Sequence, residues 1–379
     1  MTFKVKTKGQ IEGEELLVPK LRFKEFNSEY QKYKIGDTLK VKSGKDQKSI
    51  ECINGTYPIL GTGGQIGTTN SFLYDKPSVL IGRKGTINKP QYMTTPFWTV
   101  DTLFYTDIKE EFNTKYIFYA FQNINWKKYD ESTGVPSLSC KTIEEILYYI
   151  PNKDEQDKIS TFITLLDKKI ELQQRKIETL KIYKKGLIQK IYQKNYNNKI
   201  KMEKILIQKS IRNTNDENYN VYSVSNKDGF ILQTEQFKDR IVASEDTKNY
   251  KVVEKDDFAY NPARINVGSI ARMKKDTKGI ISPMYICFKC NEKILPEYLE
   301  YFFESSKFTY EMNKRLEGSV RMCLSYESML NIPIELPNKN EQEEISKMLN
   351  NLSDKIKLEE EKWIKLKKLK KGLLQKMFI

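Results

Sequence analysis

The sequence predicts an α/β protein of the α+β type, with two mixed α/β globular domains that are each followed by one long helix. A 42-residue segment at 151–192 recurs at 337–378 without a gap, and 20 of its 42 positions are identical. The residues before each copy are rich in glycine, aromatic residues and short β-like runs such as Pro77–Ile81. We therefore divide the chain into four segments, alternately globular and helical: 1–150, 151–195, 196–336 and 337–379.

Both copies of the repeat have the pattern of a long amphipathic helix. Each opens with proline and an Asn-x-x-Glu capping box, formed by Asn152 with Glu155 and by Asn338 with Glu341. The apolar residues then alternate at spacings of three and four, which is typical of a coiled-coil seam about 50 Å long. The seam residues, through which we expect the two helices to pack on each other, are Ile159, Ile163, Leu166, Ile170, Ile177, Leu180 and Leu187, and Ile345, Leu349, Leu352, Ile356, Trp363, Leu366 and Leu373. The alternative is that each helix packs separately on its own domain.

Polar residues interrupt the seam at the same two places in both copies. These are Gln173 with its counterpart Glu359, and Lys184 with its counterpart Lys370. A buried polar residue in a helix seam fixes register at some cost in stability. The shared interruptions therefore indicate that the register of the helix pair matters.

The amino-acid composition excludes several classes of chemistry. The chain has no histidine, which rules out Ser-His, Cys-His and His-metal mechanisms. Its five cysteines do not form a disulfide pattern, and Cys287–Cys290 is an isolated CxxC inside a strand-like run. No Walker-type phosphate loop is present, and the glycines of Gly61–Gly67 do not open a helix. We expect no catalytic residue and no metal site.

The N-terminal sequence and the charge set weaker limits on where the protein acts and what it binds. The first 20 residues lack the apolar core of a signal peptide, and no apolar run is long enough for a membrane span, so we expect a cytoplasmic protein. The formal net charge of +15 is compatible with nucleic-acid binding. The two helices alone contribute nine of these charges, which are typical of a solvated helix surface.

The chain resembles the specificity subunit of a type I restriction-modification system. The resemblance is carried by the two Pro-x-x-x-Glu-Gln-x-x-Ile helices that end in Lys-Gly-Leu-x-Gln-Lys, by the opening Val18–Phe26, and by the segments Gly36–Asp37, Leu80–Gly85 and Asn261–Ser269. It covers nearly the whole chain and weakens inside the globular domains. In this family those interiors vary with the DNA sequence that is recognised.

The resemblance implies that this chain recognises DNA and that partner chains catalyse the reactions. Two target-recognition domains each read one half of a split DNA sequence, and the two helices pack antiparallel as a spacer with approximate two-fold symmetry. The helices also dock methyltransferase (M) subunits, expected to be two, and through them restriction (R) subunits in the full complex. S-adenosylmethionine, ATP and Mg are then used by the partner chains, and this chain selects adenines for methylation without catalysing the reaction.

Residues that read DNA are expected on loops where glycine lets the backbone approach the duplex closely. Arg83 and Arg264 are the first candidates because each is flanked by glycine or proline within a strand-like context. The full set of candidates in the first domain is Lys42, Ser43, Lys45, Gln65, Arg83, Lys84, Thr86 and Thr133, and in the second it is Lys209, Arg212, Asn226, Lys227, Arg264, Asn266, Arg272, Lys274 and Arg321. The sequence leaves open which of them contact bases and which contact phosphates.

Three other functions remain compatible with the sequence. A coiled-coil scaffold whose globular heads bind proteins explains the helices but not the glycine-spaced basic loops. A self-contained DNA methyltransferase is suggested only by Tyr260–Arg264, which lacks the second proline and the aromatic residue of the corresponding methyltransferase loop. A methylation-only or fused member of the same family cannot be distinguished from the main interpretation.

Overall fold

The structure is a computed structural model that describes residues 3–5, 18–196, 198–236, 247–318 and 322–379. It divides into two compact units. Unit 1 comprises Met1–Gln174 with Glu361–Ile379, and unit 2 comprises Arg175–Glu360. Each unit therefore contains one globular block and a part of both long helices.

The globular block of unit 1 is built mainly from short strands. Its strands are β1 (Phe3–Val5), β2 (Leu21–Phe23), β3 (Gln31–Lys34), β4 (Leu39–Lys42), β5 (Tyr57–Gly61), β6 (Gly64–Thr69), β7 (Ser78–Gly82), β8 (Gln91–Met93), β9 (Trp98–Thr99), β10 (Leu103–Ile108) and β11 (Leu147–Ile150). Its helices are α1 (Ile35–Thr38), α2 (Thr114–Asn123), a 3-10 turn (Trp126–Tyr129) and α3 (Cys140–Glu145), after which the long helix α4 (Lys153–Gln193) begins.

The block in unit 2 has the same character. Its strands are β12 (Lys199–Lys201), β13 (Leu206–Lys209), β14 (Asn220–Ser225), β15 (Gly229–Leu232), β16 (Lys251–Val253), β17 (Phe258–Tyr260), β18 (Ile270–Arg272), β19 (Gly279–Ile281), β20 (Ile286–Cys290) and β21 (Pro333–Glu335). Its helices are α5 (Gln233–Gln236), α6 (Pro296–Phe303), α7 (Ser306–Asn313) and α8 (Tyr326–Leu330), with 3-10 turns at Met202–Lys204 and Ile265–Val267, and the second long helix is α9 (Lys339–Met377). The predicted class, mixed α/β blocks joined by long helices, is confirmed.

One sheet has the same strand order in both blocks. The order is β4-β10-β7-β8 in unit 1 and β13-β20-β17-β18 in unit 2, and every pairing in both sheets is antiparallel. The other large sheet differs, with three strands in unit 1 (β6-β5-β9) and four in unit 2 (β15-β14-β19-β16). The two blocks therefore share one four-stranded sheet and differ in their other large sheet.

The two long helices run antiparallel within each unit. In unit 1, Asp167 of α4 pairs with Lys370 of α9 at 2.6 Å. The hydroxyl of Tyr30 there lies 3.3 Å from Glu155 Oε1 and 3.4 Å from the carbonyl oxygen of Met377, so the start of α4 lies beside the end of α9.

The same direction holds in unit 2, where Lys176 pairs with Glu359 at 3.0 Å and Lys194 pairs with Glu341 at 3.7 Å. All fourteen predicted seam residues are buried or half-buried, and none is exposed.

The last turns of each long helix enter a globular core, which the seam pattern did not predict. Phe378, the residue directly after α9, stacks on Tyr116 with ring centroids 5.1 Å apart in unit 1. At the position equivalent to Phe378, Tyr192 of α4 packs against Tyr298 at 5.0 Å and Phe302 at 5.5 Å in unit 2. Each block is thus closed by the C-terminal end of one long helix.

The beginning of each long helix is tied to the globular block by a buried glutamine. Gln156 Nε2 donates to the carbonyl of Pro151 at 2.9 Å, while its Oε1 accepts from the backbone nitrogen of Asn113, the residue that caps α2. Gln342 makes the equivalent bonds, to the carbonyl of Pro337 at 3.0 Å and from the backbone nitrogen of Leu295 at 2.9 Å. The glutamine of each repeat therefore joins the start of a long helix to its globular block.

The structure corrects one local prediction and adds two details that the sequence patterns did not give. The capping box is complete only in the second copy, because the Glu155 carboxylate binds Arg22 instead of its own helix cap. The apolar run 279–288 forms two strands that are separated by a turn. In this turn the backbone nitrogen of Tyr285 donates to the carbonyl oxygen of Ser282. Short helices α3 and α8 also intervene between each Leu-Ser pair and the following strand, and are capped by Ser139 and Ser325.

Candidate nucleic-acid interface

The loops that follow β7 and β17 occupy equivalent places in the two units. In unit 1 the backbone nitrogen of Leu138 donates to the carbonyl of Arg83 at 2.9 Å. In unit 2 the nitrogen of Leu324, which lies 186 residues further on, donates to the carbonyl of Pro262 at 3.1 Å. The two repeated leucines thus hold the two loops that contain Arg83 and Arg264.

Three predicted residues of unit 1 meet at one cavity of about 510 Å³. Ser43, Arg83 and Lys84 line it, and the Arg83 side chain is exposed, with Nη1 3.3 Å from the carbonyl oxygen of Asp101. Cys140 also lines the cavity, and burial raises the pKa of its thiol although Ser43 hydrogen-bonds to it. The cavity is lined by these two cations and by hydroxyl groups, and also by the acidic residues Asp101 and Glu131. Cations and hydroxyl groups are the side chains that contact phosphate and base edges.

Thr133 lies on an exposed loop that borders this cavity. Asp130 anchors the loop, because its Oδ1 accepts from the backbone nitrogens of Ser137 at 2.9 Å and Ser132 at 3.0 Å. These hydrogen bonds hold the pKa of Asp130 below its ordinary value. The half-buried Thr86 follows Gly85, whose nitrogen donates to Pro136 of the same loop.

The remaining candidates of unit 1 do not line this cavity. Lys42 pairs with Asp107 at 2.8 Å, and this bond raises the pKa of the lysine. Lys45 is exposed, and its carbonyl accepts from Trp98 Nε1. Gln65 is exposed in the β5–β6 hairpin.

Four predicted residues of unit 2 lie on two adjoining loops. Asn226 and Lys227 are exposed at the tip of the β14–β15 hairpin, and Arg264 and Asn266 are exposed between β17 and β18. The two loops touch at Gly268, because a Cβ atom added there would lie 3.6 Å from Asn226 Cβ. Gly268 has φ of 91°, a conformation that other residues adopt only with strain. This surface combines the amide and guanidinium groups that read base edges.

Two other predicted residues of unit 2 are buried in internal ion pairs. Arg272 is 8% exposed and binds Asp256, Glu297 and Glu300. Burial alone would lower its pKa, but the three carboxylates raise it above the ordinary value. We therefore leave Arg272 out of the proposed DNA surface.

Lys209 is also 8% exposed and pairs with Asp257 and Glu254. The pKa of Lys209 is raised, because these carboxylates outweigh the effect of burial. We leave it out of the proposed DNA surface for the same reason.

The last three candidates of the second domain have different surroundings. The exposed Lys274 pairs with Glu300 at 2.7 Å. Arg212 is exposed and donates to Asn249 at 3.2 Å. Arg321 lies outside the described residues.

The lysines that interrupt the helix seam belong to two corresponding clusters. In unit 1, Lys370 pairs with Asp167 and lies 5.4 Å from the ring of Tyr119, whose hydroxyl donates to Asp167 at 2.8 Å. In unit 2, Lys184 pairs with Glu304 at 3.0 Å and lies 4.9 Å from the ring of Tyr301. Each of these lysines therefore contacts an aromatic ring of the globular block, and Lys370 also pairs with the other long helix. That the shared interruptions fix the register of the helix pair stays a prediction.

Sequence reasoning missed several residues at these surfaces. Asp101, Ser137 and Cys140 line the cavity of unit 1 together with the predicted residues. Ser137 and Cys140 flank Leu138-Ser139, which recurs as Leu324-Ser325. The two pairs are separated by 186 residues, like the two helix repeats, and this common spacing could have directed attention to the neighbouring residues. The described residues contain no cluster of acidic and cysteine side chains able to hold a metal, and no described helix is long and apolar enough to cross a membrane.

The repeated frame, with an exposed arginine on an equivalent loop of each copy, defines a protein built from two domains of one kind. Residues 27–181 and 198–368 both match the family model described as the type I restriction modification DNA specificity domain. The two matches cover most of the chain, and the chain belongs to this family.

Solved structures show the same fold at low sequence identity. The type I restriction-modification system S subunit from M. genitalium aligns with a TM-score of 0.63 and 16% identity over 96% of this chain and 99% of that chain. A chain from a structural study of complex assembly and conformational transition of the type I R-M system aligns with a TM-score of 0.55 and 10% identity, over 92% and 97% of the two chains.

Proposed function

We propose that this chain is the DNA sequence-recognition subunit of a type I restriction-modification complex. Each globular domain reads one half of a bipartite, asymmetric target, and the helices dock two methyltransferase subunits and through them the restriction subunits. The subunit selects the adenines to be methylated and contributes no catalytic group. S-adenosylmethionine, ATP and Mg are bound by the partner chains.

The observation that carries this proposal is the equivalent position of two dissimilar polar loops. Leu138 and Leu324 hold the loops of Arg83 and Arg264 through the same backbone bond, while the sheets beside them differ in strand number. Two domains that recognise different half-sites need the same scaffold but different contact residues, and these two domains have that combination. The scaffold alternative offers no reason for the basic loops to recur at the same place.

Exposed apolar residues on the long helices support docking of two copies of one partner. Leu172 and its repeat counterpart Leu358 are 64% and 56% exposed, and Tyr183 and its counterpart Leu369 are 60% and 52% exposed. By the unit boundaries, unit 1 contains Leu172 and Leu369, and unit 2 contains Leu358 and Tyr183. Each unit thus has the same pair of exposed apolar positions, and such positions favour protein contacts.

The proposed function is tested by expressing the chain with its neighbouring methyltransferase in a host without adenine methylation and mapping methyl-adenine by long-read sequencing. We expect a split, asymmetric motif that is methylated on both strands and disappears when this chain is omitted. A stable, cofactor-binding complex that methylates nothing would contradict the proposal and favour the scaffold.

Replacing residues 21–150 with the first domain of another family member is expected to change one half of the methylated motif and leave the other half intact. The reason is that each half is read by the loops of one unit. The same mapping experiment measures the result. A change in both halves would contradict the assignment of one half-site to each domain.

Removing one pair of exposed apolar positions is expected to reduce methyltransferase binding to a single copy. The variant carries Leu172→Ser and Leu369→Ser, both in unit 1, and native mass spectrometry of the co-expressed complex measures the stoichiometry. Ile182→Ser is the control, because Ile182 is 72% exposed but its repeat counterpart is Lys368. Two bound methyltransferases in the double variant would count against these positions as the docking surface.

A further inference from the structure

A second polar groove in unit 1 lies apart from the residues that line the Arg83 cavity. It has a volume of about 730 Å³ and lies between the turn at 51–55 and strand β6. Two apolar side chains in it are exposed, Ile53 at 94% and Ile66 at 54%. The other side chains that line it are polar or small: Glu51, Cys52, Asn54, Gln65, Gly67 and Thr68.

The exposure of Ile53 is fixed by the surrounding backbone. Asn54 has φ of 62°, and a Cβ atom at Gly55 would lie 2.4 Å from the backbone nitrogen of Thr69. The Thr68 hydroxyl donates to the carbonyl of Cys52 at 2.7 Å and accepts from the nitrogen of Gly55 at 3.0 Å. The turn is therefore clamped to β6 on both sides of Ile53, so this side chain is held in the groove opening.

The exposure of Ile66 has a separate local cause. The register of the β5–β6 pair shifts between Ile59 and Leu60, which face Gly67 and Gln65 respectively. Ile66 is thus the extra residue of a β-bulge, a feature that redirects a side chain away from the regular pleat. The clamped turn and the β-bulge are independent features of the backbone, and each exposes one isoleucine in the same groove.

The polar groups of the groove suit a base edge better than a phosphate. Among the described residues, no lysine or arginine lines it. The Glu51 carboxylate approaches so closely that a Cβ atom at Gly67 would lie 2.6 Å from Glu51 Oε1. Nε2 of Gln65 donates to the carbonyl of Gly67 at 3.2 Å. A carboxylate repels phosphate but accepts from the exocyclic amino group of a base, and a side-chain amide can pair with adenine.

We propose that this groove reads an A·T base pair in the half-site of the first domain. The thymine 5-methyl group packs against Ile53 and Ile66, and the adenine edge is met by the amides of Asn54 and Gln65. The chemistry follows from the major groove, where only thymine offers a methyl group beside hydrogen-bonding atoms. The inference rests on the proposed function and adds to it a base pair and the residues that select it.

The test removes the methyl group from DNA and the apolar side chain from the protein, separately and together. The purified complex with its methyltransferases is titrated with duplexes in which each thymine of the first half-site is replaced in turn by uracil. At one position we expect uracil to weaken binding about fourfold, the effect of losing one buried methyl-sized group. In the Ile53→Ala complex the same uracil should weaken binding less than it does in the wild type, because only Ile66 then remains in contact with the methyl group.

A matched control separates this contact from a general effect of losing an exposed isoleucine. Ile207, which is 45% exposed on β13 of unit 2, is changed to alanine, and that complex should keep the fourfold response of the wild type. Equal responses in the wild type and in Ile53→Ala, no response at any thymine, or a first half-site without an A·T pair would each overturn the inference. A complex without any sequence preference would instead overturn the proposed function.

Discussion

Glu155→Gln is expected to lower the free energy of unfolding of unit 1 by about 3 kcal/mol, because it leaves a buried guanidinium without its counter-ion. Arg22 Nε and Nη2 donate to the two oxygens of Glu155 at 2.8 and 2.6 Å, with the side chains only 3% and 0% exposed. The hydroxyl of Tyr30 lies 3.3 Å from the same carboxylate and 3.4 Å from the carbonyl oxygen of Met377. The ion pair therefore joins β2 to the start of α4, and Tyr30 adds the end of α9.

Urea unfolding followed by tryptophan fluorescence measures this loss selectively. All three tryptophans of the chain, Trp98, Trp126 and Trp363, lie in unit 1. Replacing both partners by methionine should recover most of the loss, since an apolar pair of similar volume removes the unpaired charge. A double variant as unstable as Glu155→Gln would contradict the explanation.

The repeat supplies a matched control at the equivalent position. Glu341 is half-buried, bonds only the cap nitrogen of Asn338 at 3.3 Å and pairs with Lys194 at 3.7 Å. Glu341→Gln should therefore cost less than about 1 kcal/mol, measured by circular dichroism during the same unfolding. Equal losses from the two substitutions would show that helix capping, and not the Arg22 pair, is the main contribution of Glu155.

The two glutamates, Glu155 and Glu341, differ in whether their partners are near or far in sequence, and this difference separates what the sequence could predict from what it could not. Local patterns gave the helices, the Asn caps and the seam, because each depends on residues within one or two turns. The pairing of Glu155 with Arg22 spans 133 residues, and no local pattern encodes it. Lys209 has the same character: its partner Asp257 is 48 residues away, so the sequence suggested a DNA contact where the structure has an internal ion pair.

The proposed recognition surface could be predicted from the sequence in part. Glycine and proline beside Arg83 and Arg264 indicated loops, and the structure has both residues exposed on equivalent loops. The grouping of Asn226 with Arg264 depends on the contact of two hairpins that are far apart in sequence. Ile53 and Ile66 gave no signal, because their exposure arises from a clamped turn and a bulge.

Arg83→Ala and Arg264→Ala are expected to have separate effects on the two halves of the target. An arginine that makes a bidentate contact with guanine contributes about 1–3 kcal/mol of discrimination. Each variant should therefore weaken binding about 10- to 100-fold for its own half-site and accept other bases there, while the second half-site keeps its sequence. Competition binding of the complex to duplexes with single base changes measures this.

The salt dependence of the same two variants decides what each arginine contacts. An arginine bound to phosphate would weaken binding to all sequences alike and lower the slope of log affinity against log salt by about 1. Lys289→Ala, which removes an exposed charge on β20 of unit 2, serves as the control and should change neither the motif nor the slope. If both arginine variants behave like this control, the two repeated loops do not touch DNA. In both domains a repeated leucine holds the loop in place through a backbone hydrogen bond. If the loops do not contact DNA, this shared feature of the two domains would need an explanation other than DNA recognition.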